Sequence, residues 1–465
     1  VGIALGWADP VGAQGYQSRI GYSQLVEEYG DSLATGIGLS VLMPESVLGG
    51  NYMPNTSHPQ FLGKTFINGT SPPVTQASSH ATNVGLHLYG SQTSIAPGIN
   101  RIVGASAEDF ALRYTGYASG VEPLKQGFHI SNHSYIGNIA DPAIKTNLLQ
   151  RFDYIINRDN TIAVVGANNG ASNTAPDLWL HSFNAISVGR SDGLHSFGST
   201  TTYGPGRTRP DIVVPMQDTG FNFTSYATPV VGASAAILKQ TAGFDVNGKS
   251  LAGGQSQVIR SLLFAGATKE EFPGWNKTSS RPIDNVYGFG ELNIRNSYKM
   301  LEAGQVAATK NPNFVSMNMG SMGWDYNQFQ GTDLYYNFEI GPGQELAELS
   351  AALVWNVDVF NSSTIPGVFD PDHRLANLEL ELFQSNGTFL NTLVQGSYSS
   401  DYSYEHIYLT DPLVSGKYTF RIRGDIPVHY GFSWRMSFDF TTTPEPSSLL
   451  LFAWSLVLWR PRKRR

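Results

Sequence analysis

No cysteine occurs among the 465 residues, which excludes disulfides, thiolate nucleophiles and cysteine metal sites in a single stroke. Charge is also scarce. Only 14% of residues are charged, with Lys+Arg 30 against Asp+Glu 37, so no broad basic field exists and nucleic acid is excluded as a partner. Long hydrophobic runs are missing too: the one extended apolar stretch, Leu449 to Trp459, is too short to cross a typical bilayer comfortably. What fills the chain instead is Gly 49, Tyr 22 and many Asn, Ser and Thr, a texture that resembles an exported protein. Its length exceeds that of a usual single core, which predicts two domains.

Through residue 305 the chain alternates short apolar strands with helical stretches. Leu39–Met43, Arg101–Gly104, His129–Ile136, Thr161–Gly166, Ala185–Gly189 and Asp211–Val214 read as strands. Tyr22–Tyr29, Ser79–Leu86, Leu148–Ile156 and Gln255–Ala265 read as helices. Fully apolar strands of this kind predict an α/β fold, a doubly wound mainly parallel sheet covered on both faces. Between 306 and 442 the pattern changes to alternating runs separated by Ser385-Asn386-Gly387 and Val414-Ser415-Gly416, which predicts an all-β sandwich with an accessory role in binding or stability.

Polar side chains stand at the ends of the apolar segments. Glu45 follows the first strand, His80 opens a helix, and Asn168 and Asn169 end the strand that begins at Thr161. Ser225 precedes the small-residue run Ala227–Ala235, where Pro229 fits a first helical turn. A helix N-terminus gathers unpaired N–H groups and the positive end of the dipole, so a serine there faces a place that favours a developing oxyanion; a simple helix cap is the competing reading. Nucleophilic acyl transfer needs a hydroxyl, an imidazole beside it and a carboxylate to hold the imidazole. Ser225, His80 and Glu45 supply one of each, and Asn168 adds an oxyanion donor. His87, one register further along, reads as a packing or surface histidine.

These same residues carry a resemblance. Thr35–Glu45, Ser79–Gly85, Val165–Gly170, Phe197-Gly198-Ser199 with Gly204–Ile212, and Thr224–Pro229 resemble, in order, the motifs of the subtilisin-like serine peptidases. The resemblance covers roughly the first 300 residues and implies Glu45, His80 and Ser225 as a triad with Asn168 in the oxyanion hole, acting on protein or peptide substrates. It also implies that Ser134–Gly137 and Ala167–Gly170 line the main specificity pocket. Five positions depart from the family: Glu45 stands for Asp, Ala81 for Gly, Asn83 for a second His, Ala167 for Gly and Phe223 for Gly. Phe223 is expected to perturb the backbone or narrow the cleft, which keeps a catalytically impaired surface protein as the alternative. The absence of a Gly-x-Ser-x-Gly elbow around Ser225 lowers an esterase.

No cofactor is required for this chemistry. Structural calcium is common in the family, yet the usual motif sites hold no dense Asp/Asn loop, and Asp370, Asp372 and Asp401 read as solvated turns rather than ligands. The segment before the first motif is shorter than the family's folding propeptide, which points to truncation or to folding without one. Val1–Gln14 reads equally as the tail of a signal peptide or as an ordinary arm. Residues 443–465, with Pro444-Glu445-Pro446, the apolar run and Arg460–Arg465, resemble a PEP-type C-terminal sorting signal. That resemblance implies membrane-associated sorting machinery as a partner and a cell-surface or extracellular location in a bacterial envelope.

Overall fold

A computed structural model describes residues 13–440 apart from 48–49, 75, 173, 175–177, 205, 218–219 and 387–389. Val1 to residue 12 and the proposed sorting signal lie outside the described residues. The strands of the first domain are β1 (Ser40–Glu45), β2 (Thr65–Asn68), β3 (Arg101–Ser106), β4 (Ile130–His133), β5 (Ile162–Gly166), β6 (Ile186–Arg190), the small ribbon β7 (Gly198–Thr200) with β8 (Arg207–Arg209), and β9 (Ile212–Val214). Its helices are α1 (Ala13–Arg19), α2 (Tyr22–Tyr29), α3 (Ser79–Tyr89), the one-turn α4 (Ala107–Asp109), α5 (Pro142–Asp159), α6 (Thr224–Ala242), α7 (Ser256–Gly266) and α8 (Ile294–Ala303).

Seven of the strands form one parallel sheet in the order β2-β3-β1-β4-β5-β6-β9. Alternation along the strands sends side chains to two separate cores. Val41, Met43, Ile162 and Val164 pack with α3 and α6 on one face. Leu42, Ala163 and Val165 pack with Leu148, Leu149, Phe152 and Ile156 of α5 on the other. Both faces are therefore covered, the arrangement that apolar strands demand.

Helix α5 is longer than periodicity alone predicts. The Asp141 carboxylate accepts from the N–H groups of Ala143 and Ile144 at 2.8 and 3.2 Å, Pro142 takes the first helical position, and Asn160 ends the helix at φ 51°. Cap chemistry, not the apolar stripe, sets both ends.

The second domain holds two antiparallel four-stranded sheets. One runs β10 (Met322–Phe329), β19 (Val428–Phe440), β12 (Gln344–Trp355), β17 (Tyr404–Leu409); the other runs β11 (Leu334–Ile340), β18 (Gly416–Gly424), β15 (Leu378–Ser385), β16 (Leu390–Ser397). A short ribbon of β13 (Asp358–Asn361) and β14 (Pro371–Arg374) lies beside them. Their inner faces bury Tyr336, Phe420, Phe432 and Trp434 in a core of their own.

The two domains share a buried seam. Ala352, Val354, Tyr402 and Tyr404 of the sandwich belong to the same core as α6 and α7. Thr208 N–H donates to the Tyr402 hydroxyl at 2.6 Å, and the Tyr404 hydroxyl donates to Asp211 at 2.9 Å beside the buried Arg209–Asp211 pair. Ser261 and Ser433 meet at 2.7 Å. At Gly431 an added Cβ would come within 2.5 Å of the Gln257 backbone, so the strand touches α7 directly. Burying polar groups in satisfied pairs of this kind fixes one relative placement of the domains.

Candidate active site

The site forms where the carboxyl ends of β1, β4 and β5 meet the starts of α3 and α6. Glu45 is the last residue of β1, fully buried and in register with Ser106 of β3. The β3 ladder continues through Glu45, while the β4 ladder stops at Leu42. Pro44 thus follows the end of one ladder, as its missing N–H requires.

His80 is the second residue of α3, whose start is capped by the Ser78 hydroxyl accepting from Ala81 N–H at 3.1 Å. Its Nδ1 lies 2.8 Å from Glu45 Oε2. A carboxylate only accepts, so Nδ1 carries the proton and Nε2 is left as the bare nitrogen. Burial opposes the imidazolium, but the hydrogen bond and charge of Glu45 outweigh it and hold His80 above the usual histidine range. Burial also pushes the Glu45 carboxyl upward, against the opposing pull of His80, and among the described residues Glu45 Oε1 has no hydrogen-bond partner.

Ser225 is the second residue of α6. Its hydroxyl donates to the Ser134 carbonyl at 3.3 Å and makes no hydrogen bond to His80 among the described residues. The start of α6 is held from outside: Asn169 Oδ1 accepts from Thr224 N–H at 2.8 Å and from the Thr224 hydroxyl at 3.1 Å, and that hydroxyl also donates to Ala167 O at 2.5 Å. Ser225 N–H has no acceptor among the described residues. Helix and strand approach closely here, since a Cβ on Gly166 would lie 2.8 Å from Thr228 Oγ1. Asn168 is exposed in the same loop; its N–H donates to Ser196 Oγ at 3.0 Å and its Oδ1 accepts from Asn169 N–H at 2.8 Å. That second bond occupies Oδ1, while Nδ2 makes no hydrogen bond among the described residues.

A cleft of about 270 Å³ joins these groups, lined by His80, Ser225, Asn168, Tyr135, Ile136 and Ala167 among others. Ile136 is exposed in it, whereas the Tyr135 hydroxyl is tied back, accepting from Trp179 Nε1 at 2.9 Å. Tyr135 therefore packs and lines the cleft at once.

Two expectations change. Pro229 is the sixth residue of α6, inside the helix and past its first turn, and the N–H it lacks is the one that would serve the Ser225 carbonyl four residues earlier. Phe223 does not strain the chain: its φ of −131° and ψ of 148° are extended values open to any residue. Its ring is exposed, meets Tyr226 edge-on at 6.0 Å and does not line the cleft. Ala81 and Ala167 are both buried; Ala81 N–H donates to the Ser78 cap of α3, while Ala167 lines the cleft and its carbonyl accepts the Thr224 hydroxyl. His87 is buried and neutral, lowered to about 4 by burial, with its ring stacked on Tyr226. Sequence reading missed Asn169 and Thr224 as the clamp on α6; the paired amides after β5 were the available signal. Among the described residues no group of three or more His, Asp or Glu gathers as a metal site, and no helix is long and apolar enough to cross a membrane.

No protein-family model matches the chain. Over 200 residues it is 28% identical to Subtilisin BL of Lederbergia lenta, covering 38% of this chain and 69% of that protein. It is 29% identical over 197 residues to Subtilisin Savinase of the same organism, with the same coverage. The chain has a subtilisin-like fold. Over some 200 residues the chain is similar to these subtilisins, and its mainly parallel α/β domain is followed by antiparallel β-sheets. Among solved structures, fervidolysin from Fervidobacterium pennivorans, a keratinolytic enzyme related to subtilisin, covers 90% of this chain at 14% identity and a TM-score of 0.40. The self-cleaved protease domain of PatA covers 58% at 20% identity and a TM-score of 0.40.

Proposed function

We propose that this subtilisin-like chain is a secreted or surface serine endopeptidase that works through an acyl-enzyme with Glu45, His80 and Ser225 as its triad. The observation that carries the reading is the buried Glu45 holding His80 Nδ1 at 2.8 Å across the same cleft that Ser225 and Asn168 line. When a peptide occupies the cleft, the Ser225 hydroxyl leaves the Ser134 carbonyl and turns to His80 Nε2. His80 takes the proton as Ser225 Oγ attacks the carbonyl carbon, and Glu45 supports the imidazolium. The oxyanion is met by Ser225 N–H and Asn168 Nδ2, a donor of the kind whose removal costs about 2.7–4 kcal/mol. His80 returns the proton to the leaving amine, and a water activated by the same nitrogen releases the acid. Export to the cell surface, through sorting machinery reading the C-terminal segment, belongs to this proposal, as does any structural calcium.

A second reading, a surface protein with a silent site, draws on the Ser225–Ser134 hydrogen bond, which leaves the hydroxyl away from its base. Fluorophosphonate labelling separates the two. A mass adduct on Ser225 that disappears in Ser225→Ala and in His80→Ala supports the peptidase; folded protein that takes no label leaves the binding role.

A further inference from the structure

The amino ends of the parallel strands, at the far end of α6 from Ser225, enclose a cavity of about 430 Å³. Lys239, the sixteenth residue of α6, stands roughly 21 Å along the helix from Ser225 at ~1.5 Å per residue. Its ammonium is buried and donates to the carbonyls of Asn160 and Gly254, both at 2.9 Å, so two of its three donors are engaged. Lys125 and Lys249 stand exposed on the same wall. Gln126 is 5% exposed, and among the described residues neither atom of its side-chain amide has a hydrogen-bond partner. An orphaned buried amide has given up the hydrogen bonds that water supplies to the unfolded chain, so its retention calls for a water, ion or ligand beside it.

The remaining groups fit the same chemistry. His129 Nδ1 accepts from Ser40 N–H at 3.0 Å, which puts the ring proton on Nε2 and makes that atom a donor. The carboxylate on this wall, Asp159, is already spent: it accepts from Arg158 Nε and Nη2, both at 2.7 Å, and from Gln126 N–H at 2.8 Å. Nearby, Asp245 holds its own turn by accepting from the N–H groups of Asn247 and Lys249 at 2.9 Å. In a chain with so few charged residues, three lysines line a cavity whose carboxylate among the described residues, Asp159, is neutralised.

We infer that this cavity is a binding site for a phosphate or sulfate group, held by Lys239, Lys125, Lys249 and the Gln126 amide. Burial lowers the Lys239 ammonium to about 7, and a bound anion would restore its charge. The helix C-terminus, with its negative dipole end, explains a cation at Lys239 but not the two further lysines or the orphaned amide.

Calorimetric titration of the full chain with inorganic phosphate, and separately with sulfate, tests the inference at constant ionic strength. Saturable binding is expected, with a rise in Tm of ~2 °C or more near saturation. Lys239→Met is expected to weaken binding by ~10-fold or more, the loss of one charge-assisted hydrogen bond. Should that variant fail to fold, the exposed pair Lys125→Ala/Lys249→Ala serves the same purpose. A parallel titration with vesicles of equal phosphatidylcholine and phosphatidylglycerol distinguishes a lipid headgroup from a free ion; lysine-dependent binding in either arm supports the site. No saturable heat in either arm, or equal stabilisation of wild type and lysine variants by sulfate as a general salting effect, overturns it.

Discussion

Asn169 Oδ1 accepts the N–H of Thr224 at 2.8 Å, so the first free backbone donor of α6 is that of Ser225. A side chain from the loop after β5 thereby caps the helix that carries the candidate nucleophile, because Phe223 at the cap position has no side-chain oxygen to do so. One contact sets both the helix start and the position of the oxyanion donor.

Replacing that amide separates the two effects. Asn169→Ala is expected to destabilise the fold by about 1 kcal/mol, the usual worth of a cap. It is also expected to slow fluorophosphonate labelling of Ser225 under conditions where the protein remains folded. Denaturant melts and labelling rates on the same preparation check it; a stability loss with an unchanged labelling rate would show that Asn169 only caps.

Glu45→Gln keeps the shape of the buried side chain and removes its charge. The imidazolium then loses its support, and kcat for a peptide substrate is expected to fall by ~10³–10⁴-fold with KM little changed. The pH at which labelling reaches half its maximum should move down, since Glu45 is what holds His80 above its ordinary range. An unmoved midpoint would mean that another group governs the titration.

For wild type, labelling requires neutral His80, so the rate is expected to rise with pH through the elevated His80 value and then level. Stability moves the other way. His80 and Glu45 both sit above their unfolded values in the fold, so the native pair holds more protons than the unfolded chain. The contribution of His80 is complete below its unfolded value and is lost as pH rises through the folded one. Urea melts across that window, compared with Glu45→Gln, check the sign.

Phe223→Gly introduces glycine at a position whose backbone is extended. Glycine adds freedom to the unfolded chain, so the variant is expected to lose about 0.5–1 kcal/mol and to gain no activity. A rise in activity would show that the exposed ring obstructs substrate.

Gly431→Ala tests the domain seam. The new methyl must push on the Gln257 backbone 2.5 Å away, which no side-chain rotation relieves. A loss of about 1–3 kcal/mol is expected by thermal or urea melting, the range for overpacking.

Residue order by itself determined the architecture and nominated the candidate site residues. Apolar strand runs placed Glu45, Asn168 and the helix bearing Ser225 at strand ends, because a parallel sheet buried on both faces needs continuous hydrophobic strands and leaves polar groups only where they stop. The change of period toward the C-terminal part likewise marked the sandwich. Local pattern did not reveal what depends on distance through space. That Phe223 needs no glycine conformation, that Pro229 lies inside a helix, that Asn169 rather than Asn168 caps α6, and that Ser225 bonds to Ser134 are all outcomes of how loops from separate strands meet. The seam at Gly431 and the cationic cavity around Lys239 and Gln126 belong with them, since each brings together residues tens to hundreds of positions apart. Periodicity reports which face of an element is buried; packing alone decides which neighbour it is buried against.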